Sequence, residues 1–458
     1  MKTLLIFPPF LDHKSEYPPL GIAYIAAVLQ KEGVEVDVLD LSVFRPHEWK
    51  ERLSIKLAKV DPEIIGISAM TFTYDAAIEV GKYVKETNPK AKVVFGGPHP
   101  TIYPDKVLKN QFVDFVIRGE GEFAFLELVK SLSDGNNLKN INGLSFRDDG
   151  NIHHNPDREL IQNLDELPFP SRDFLELEEY SFFPAMTLIS SRGCPFNCYF
   201  CFKMYGHKFR ARSPENVVSE IEFLKEKYGS KNFYFYDDLF TYDKSRVMKI
   251  CDLIEEKGLK IEWKCCSRVN TIDKELLIRM KRAGCSAIHY GVETGDTEIM
   301  KKIRKGITLE QVKNAIMMTK SVGIKAKAYF MVGHPWDTKE TIEKTIRFAI
   351  GLNADKIQFA ITTPFPKTEL WNIAKEMKIV SDDMTNWNRL LETGKHLNPI
   401  MKTYTLSSEE LLYYQRMADK MWYKRKMFYL LRHPKKLVRV VNERGVVPLI
   451  RIALENVR

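Results

Sequence analysis

The sequence predicts an α/β protein with three parts: an N-terminal Rossmann-like parallel sheet, a partial (β/α)6 barrel and a short C-terminal helical region. Two observations predict it. Short β-rich runs alternate with helical periodicity in two separate series, broken once by a Pro-rich stretch. The chain, 458 residues at 44% hydrophobic, is long enough to bury more than one core.

In the first series the strands are KTLLIF, VEVDVLDLS, IIGISAM, AKVVFGG and DFVIRG, with GIAYIAAVLQKEG and YDAAIEVGKYVKE as helices between them. Ligands of such sheets sit beyond the C-terminal strand ends, which here carry PPF, SAMTFTY, GGPHPT and RGEGE. Neither GxGxxG nor GxxxxGK[ST] occurs there, which disfavours a plain dinucleotide or nucleotide site. Residues 136–185 read as a hairpin and a Pro-rich linker. From Met186 the second series runs MTLIS, NFYFYDD, KIEWKCCSR, SAIHYGVE, KAKAYFMVG and KIQFAITTP. The expected division is therefore 1–135, 136–185, 186–385 and 386–458.

Chemistry concentrates in RGCPFNCYFC, where Cys194, Cys198 and Cys201 follow the first barrel strand. All seven cysteines lie between Cys194 and Cys285, a poor pattern for disulfides and a better one for metal ligation in a reducing, cytoplasmic setting. Zinc in a structural site needs a fourth ligand, with His207 the nearest candidate. An iron–sulfur cubane held by three thiolates leaves one iron open to a substrate. Cys251, Cys265, Cys266 and Cys285 show no ligand spacing and are expected to pack in the core.

CxxxCxxC after the first strand of a βα barrel resembles the radical S-adenosylmethionine enzymes. The resemblance implies a [4Fe-4S] cluster on the three cysteines, whose open iron chelates S-adenosylmethionine; its reductive cleavage gives a 5′-deoxyadenosyl radical. It further implies contacts to that cofactor from Phe200, from Asp237 and Asp238 in YFYDD, and from Ser267 and Arg268 in CCSRVN. Glu293 and Thr294 in HYGVETGD and Met331 in FMVGHPWDT complete the set. In FMVGHPWDT, Trp336 and Asp337 replace the Gly and Glu of the family pattern. The resemblance spans residues 186–375.

The N-terminal loops resemble the cobalamin-binding domain that precedes the barrel in one large subclass of that family. It implies cobalamin contacts from Pro9, Ser68, Thr71, Phe72, Gly96, Gly97, His99, Gly119 and Glu120. The DxHxxG motif that supplies an axial His is absent, since Asp12 and His13 are adjacent. The loop Ser68 to Tyr74 is then expected to cover the lower face of cobalt.

The implied function is methylation of an unactivated carbon by way of methylcobalamin and the 5′-deoxyadenosyl radical. The alternative is a carbon-bond-forming reaction of the anaerobic Mg-protoporphyrin monomethyl ester cyclase type; a non-enzymatic electron carrier or regulator is a third reading. Implied partners are a small-molecule or lipid substrate and a reductant such as flavodoxin or ferredoxin.

Residues 421–458 hold ten Lys or Arg and two acids, contributing +8 of the net +9. Trp422, Met427, Leu430, Leu431, Leu437, Val440 and Val441 lie among them at helical spacing, with Pro434 and Pro448 as breaks. Docking on the barrel and peripheral contact with an anionic membrane are the two readings of this tail. Nucleic acid is disfavoured because the rest of the chain is near neutral. No apolar run approaches the roughly 18 residues of a membrane-spanning helix.

Overall fold

The β-rich runs pair into two parallel sheets in the computed structural model of the chain, which describes residues 1–10, 13–380 and 399–434. The first sheet contains β1 (Thr3–Phe7), β2 (Val36–Asp40), β3 (Ile64–Ser68), β4 (Lys92–Gly96), β5 (Phe115–Ile117), β6 (Leu144–Asp148) and β7 (Asn151–His154). Their spatial order is β2-β1-β3-β4-β5-β6-β7, with the first five parallel. The predicted hairpin is β6 and β7. It pairs antiparallel with β5, so it extends the first sheet rather than lying in a separate connector. Strand order reverses beside β1, which opens a crevice at the C-terminal ends.

Residues after the hairpin stay with this body. Ile161, Leu164, Leu167, Leu175 and Tyr180 pack into its core, and Tyr180 donates to Asp40 at 2.6 Å.

The second sheet begins with β8 (Met186–Leu188). A short antiparallel pair, β9 (Ser191–Arg192) and β10 (Arg210–Ala211), then brackets the cysteine loop. The remaining strands are β11 (Asn232–Phe235), β12 (Glu262–Ser267), β13 (Cys285–Glu293), β14 (Lys325–Val332) and β15 (Lys356–Ile361). Order β8-β11-β12-β13-β14-β15, parallel throughout, is the six-stranded partial barrel the sequence predicts. Alternate residues, such as Trp263, Cys265, Ala326, Ala328 and Phe330, are buried in the barrel's hydrophobic core. The other set faces the lumen.

Helix starts follow local chemistry. Ser213, Asp243, Asp273, Thr308 and Thr338 each accept a backbone N–H of the first turn with their side chains, satisfying donors a helix otherwise leaves free. The C-terminal helix Ser408–Leu431 opens with a capping box between Ser407 and Glu410 and docks on the barrel. Leu411, Tyr414, Ala418 and Trp422 join the barrel core, and Gln415 Nε2 donates to Phe359 O at 3.0 Å. The helix ends three residues before Pro434, as that proline predicts. Leu430 is buried, Met427 half-buried and Leu431 exposed. Leu437, Val440, Val441 and Pro448 lie outside the described residues. Among the described residues no helix is long and apolar enough to cross a membrane.

Candidate functional site

The cysteine loop leaves β9 through Gly193, whose φ of +85° is one that side chains other than glycine's rarely adopt. A Cβ there would meet Lys208 O at 2.3 Å, so the loop closes on itself only around glycine. Tyr199, buried between the second and third cysteines, pins the loop to the barrel. Its hydroxyl lies 2.9 Å from His334 Nδ1, its N–H donates to Ile303 O, and its carbonyl accepts Leu370 N–H.

Cys194 and Cys198 are half-buried and Cys201 opens to solvent on one side. Desolvation, then the neighbouring sulfurs Cys198 and Cys194, push the Cys201 thiol up to about 11; burial also raises Cys194. Cys198 acts on both Cys194 and Cys201, so the three sulfurs lie close enough to share one multi-metal group, and a cationic cluster core would reverse the penalty on Cys194 and Cys201. Among the described residues no three His, Cys, Asp or Glu side chains converge on a single ion. A cubane needs no such convergence, because each thiolate takes a different iron. His207 instead sits 2.8 Å from Lys203 Nζ.

Around the loop the implied cofactor residues divide into two groups. Arg268 lies over the Phe196 ring at 3.6 Å, with Nη1 3.6 Å from Cys198 Sγ, so its charge faces the cluster position. Among the described residues Asp238 accepts only Gly193 N–H, at 3.1 Å, and desolvation raises its carboxyl. Phe200 and Met331 are half-buried at the same rim.

Asp237 is different. It accepts Ser190 N–H at 2.7 Å and the Ser190 and Ser191 hydroxyls at 2.6 Å, holding the turn after β8. Its implied role as an ammonium holder is corrected: its oxygens are already occupied. Ser267 is buried in a hydroxyl network with Thr241 and Thr271, and Thr294 bonds Thr345 at 3.1 Å; both brace strand ends.

Glu293 sits at a β13 irregularity with φ +76° and accepts Lys305 Nζ at 2.7 Å, both buried. Lys305, 5.8 Å from the Phe200 ring centroid, went unnoticed in the sequence because it lies on a connecting loop outside every strand-end motif. Asp337 accepts Gly333 and His334 N–H at 2.9 Å and the Thr341 hydroxyl at 2.8 Å, so it closes the turn after β14.

In the N-terminal sheet a cleft open to solvent runs between helices Leu20–Lys31 and Glu122–Asp134 at the ends of β1, β3, β4 and β5. Ser68, Gly96, Gly97, Gly119 and Glu120 line it. A Cβ at Gly21 or Gly119 would meet nothing within 4 Å, so bare backbone faces this space, a cradle suited to the tail of a large cofactor. Thr71 is buried, and Phe72 stacks 6.0 Å from Phe10. Phe72 also packs with Phe365 and Trp371 of the barrel, so the two strand-end faces meet at this loop.

Three residues of the implied cobalamin set have other surroundings. Pro9 is buried in the turn after β1 and is not among the residues that line this cleft. His99 is fully buried, stacked 4.0 Å from Tyr74, and burial lowers its imidazole to about 3. Glu120 touches the cleft, but its carboxylate is bound to Arg192 at 2.8 Å, Arg210 at 2.9 Å and Ile161 N–H at 2.7 Å. Of the four remaining cysteines, Cys251, Cys265 and Cys285 are buried, whereas Cys266 faces the lumen 3.4 Å from the Tyr234 hydroxyl.

Comparison with known proteins agrees with this geometry. Residues 188–349 match the Radical SAM superfamily and residues 11–129 the B12 binding domain. An uncharacterized methyltransferase of Pyrococcus horikoshii, PH0819, is 38% identical over 421 residues, 90% of each chain. The anaerobic magnesium-protoporphyrin IX monomethyl ester cyclase of Rubrivivax gelatinosus is 30% identical over 428 residues, 90% of this chain and 75% of its own. The structure of the cobalamin-dependent S-adenosylmethionine radical enzyme OxsB with aqua-cobalamin and S-adenosylmethionine bound superposes with a TM-score of 0.77 at 19% identity, covering 100% of this chain and 72% of that one.

Proposed function

Because the chain belongs to the radical S-adenosylmethionine enzymes that carry a cobalamin-binding domain, we propose that it transfers a methyl group to a carbon of a small-molecule substrate. When bound, the [4Fe-4S] cluster, S-adenosylmethionine and cobalamin supply radical generation and methyl carriage. The carrying observation is the meeting of the two strand-end faces at Phe72, Phe365 and Trp371. It sets the cleft-side loop after β3 against the barrel mouth.

The chain's own residues position and exclude. Cys194, Cys198 and Cys201 hold the cluster; Arg268 balances its charge; Asp238 takes the ammonium of S-adenosylmethionine; Lys305 fixes Glu293 for a polar contact on the same cofactor. The loop Ser68 to Tyr74 offers no imidazole, and His99 nearby is locked against Tyr74.

The second reading, a cyclase-type reaction, is favoured by the 30% relative. The anaerobically reconstituted protein separates the two. Methyl transfer releases S-adenosylhomocysteine together with 5′-deoxyadenosine, and methyl-deuterated S-adenosylmethionine labels a product in a metabolite extract. Formation of 5′-deoxyadenosine alone would favour the cyclase reading.

A further inference from the structure

The barrel lumen is open. In a packed barrel the inward side chains are the most deeply buried. Here the reverse holds: residues turned to the hydrophobic core are buried, while the inward set, Tyr234, Lys264, Cys266, His289, Lys327 and Tyr329, stays half-exposed. Contacts across the lumen define that set, since the Tyr234 hydroxyl lies 2.9 Å and the Tyr329 hydroxyl 3.3 Å from His289 Nδ1.

Three cations line this space, with Lys264 two residues below the level of Lys327 and Lys356 by strand register. Lys327 on β14 is the register partner of Lys356 on β15 and of His289 on β13, and Lys264 on β12 pairs with Tyr234. Among the described residues no carboxylate forms an ion pair with any of them. Glu16 and Glu262 act only at longer range. Lys264 Nζ instead lies 3.1 Å from the Tyr17 hydroxyl and 4.6 Å from the Tyr234 ring centroid, and Lys327 Nζ lies 4.3 Å from the Tyr329 centroid. Desolvation, then the charge of Lys356, lowers the Lys327 ammonium to about 8. Lys264 and Lys327 are half-buried and Lys356 is exposed at the start of β15; gathering like charges there is costly unless an anion completes the site.

We infer that the lumen binds an anionic substrate, its carboxylate or phosphate held by Lys264, Lys327 and Lys356 and its apolar body lying along Tyr17, Tyr236 and Tyr329. The inference rests on the methyl-transfer reading of this site and adds the substrate's class. It also sets a length. Four residues separate Lys264 from Arg268 and Lys327 from Met331, so at ~3.3 Å per residue the anion lies about 13 Å from the strand ends where the cluster is held. The reacting carbon is therefore remote from the anionic group. Tyr17, stacked 4.4 Å from Phe182 and 5.4 Å from Tyr236, supplies aromatic surface from the N-terminal domain.

The test is calorimetric titration of the reconstituted full-length protein with naphthalene-1-acetate, 1-naphthyl phosphate and neutral naphthalene-1-acetamide. At least one anion should bind tenfold or more tighter than the amide, and the tighter anion identifies the group recognised. This comparison uses the unsubstituted protein, so it does not depend on any variant folding. The pair Lys264→Gln with Lys327→Gln should erase the preference, the Arg pair should retain it, and Lys249→Gln on the barrel's exposed outer helix should leave it unchanged. Absence of anion preference, or its survival in the Gln pair, overturns the inference. S-adenosylhomocysteine release measured on the same samples keeps the two proposals apart, because loss of one signal with the other intact rejects only its own.

Discussion

Adjacent carboxylates at the end of β11 do different work. Asp237 receives three hydrogen bonds inside the fold, whereas Asp238 receives one and keeps its other oxygen uncommitted among the described residues. Asp237→Asn replaces one acceptor edge with a donor and should cost about 1.5–3 kcal/mol, the range for bonds to a buried charge, read as a lowered urea midpoint. Asp238→Asn should leave that midpoint unchanged and raise the KM for S-adenosylmethionine at least tenfold in a deoxyadenosine assay. The reverse pattern would exchange the two roles. The YFYDD motif located this pair, but alternation in a strand sends neighbours to opposite sides, and choosing between them needs Ser190 and Ser191, residues 47 and 46 positions away. The surroundings of Glu120 are illegible for the same reason. Its loop looks like a ligand loop, yet its partners Arg192 and Arg210 lie 72 and 90 residues along the chain.

Elements were legible wherever one rule sufficed. Apolar runs of five or six residues bounded by Gly, Pro or Asp gave the parallel strands, and side-chain caps gave the helix starts. What periodicity could not give was which half of each barrel strand faces a filled core and which an open lumen, so Cys266 was grouped with its buried neighbours. The cysteine loop makes the sharpest prediction at this scale. Gly193→Ala would drive a Cβ to 2.3 Å from Lys208 O at a φ of +85°. The loop must open, so iron content after reconstitution should fall below half that of the unsubstituted protein while far-ultraviolet circular dichroism is unchanged. Full iron loading would show that the loop tolerates the displacement.

Across the whole molecule, the two sheets are joined by charge as well as by apolar contact. Glu120, from the loop after β5, and Glu122, opening the helix that follows, hold Arg192 and Arg210, which flank the cysteine loop, and all four are buried. Burial opposes ionisation of Glu120, yet the hydrogen bond from Arg210 and the charge of Arg192 hold its carboxyl below the usual range. Glu120→Gln leaves the buried Arg210 without a carboxylate among the described residues, while Arg192 keeps Glu122, and should cost about 3–5 kcal/mol. Because this clamp ties the cobalamin side to the cluster side, cobalamin affinity and cluster content should fall together; loss of one alone would deny the coupling.

Acid should loosen the whole fold well before that carboxylate titrates. His99 and His334 are fully buried and burial lowers both to about 3, so between there and an unfolded value near 6.5 the unfolded chain binds more protons. Each therefore removes about 1.4 kcal/mol per pH unit as pH falls through that window. Asp337 acts oppositely: burial raises it to about 6, so it gains stability as pH falls from about 6 to 4. Two histidines outweigh one aspartate, leaving a net loss that is steepest between about pH 6.5 and 6 and then continues more gently. Urea midpoints measured from pH 7 to 5 should trace that bend, and His99→Phe, which keeps a ring against Tyr74, should remove about half of the steep segment. An unchanged slope in that variant would mean that His99 takes up its proton without leaving its buried site.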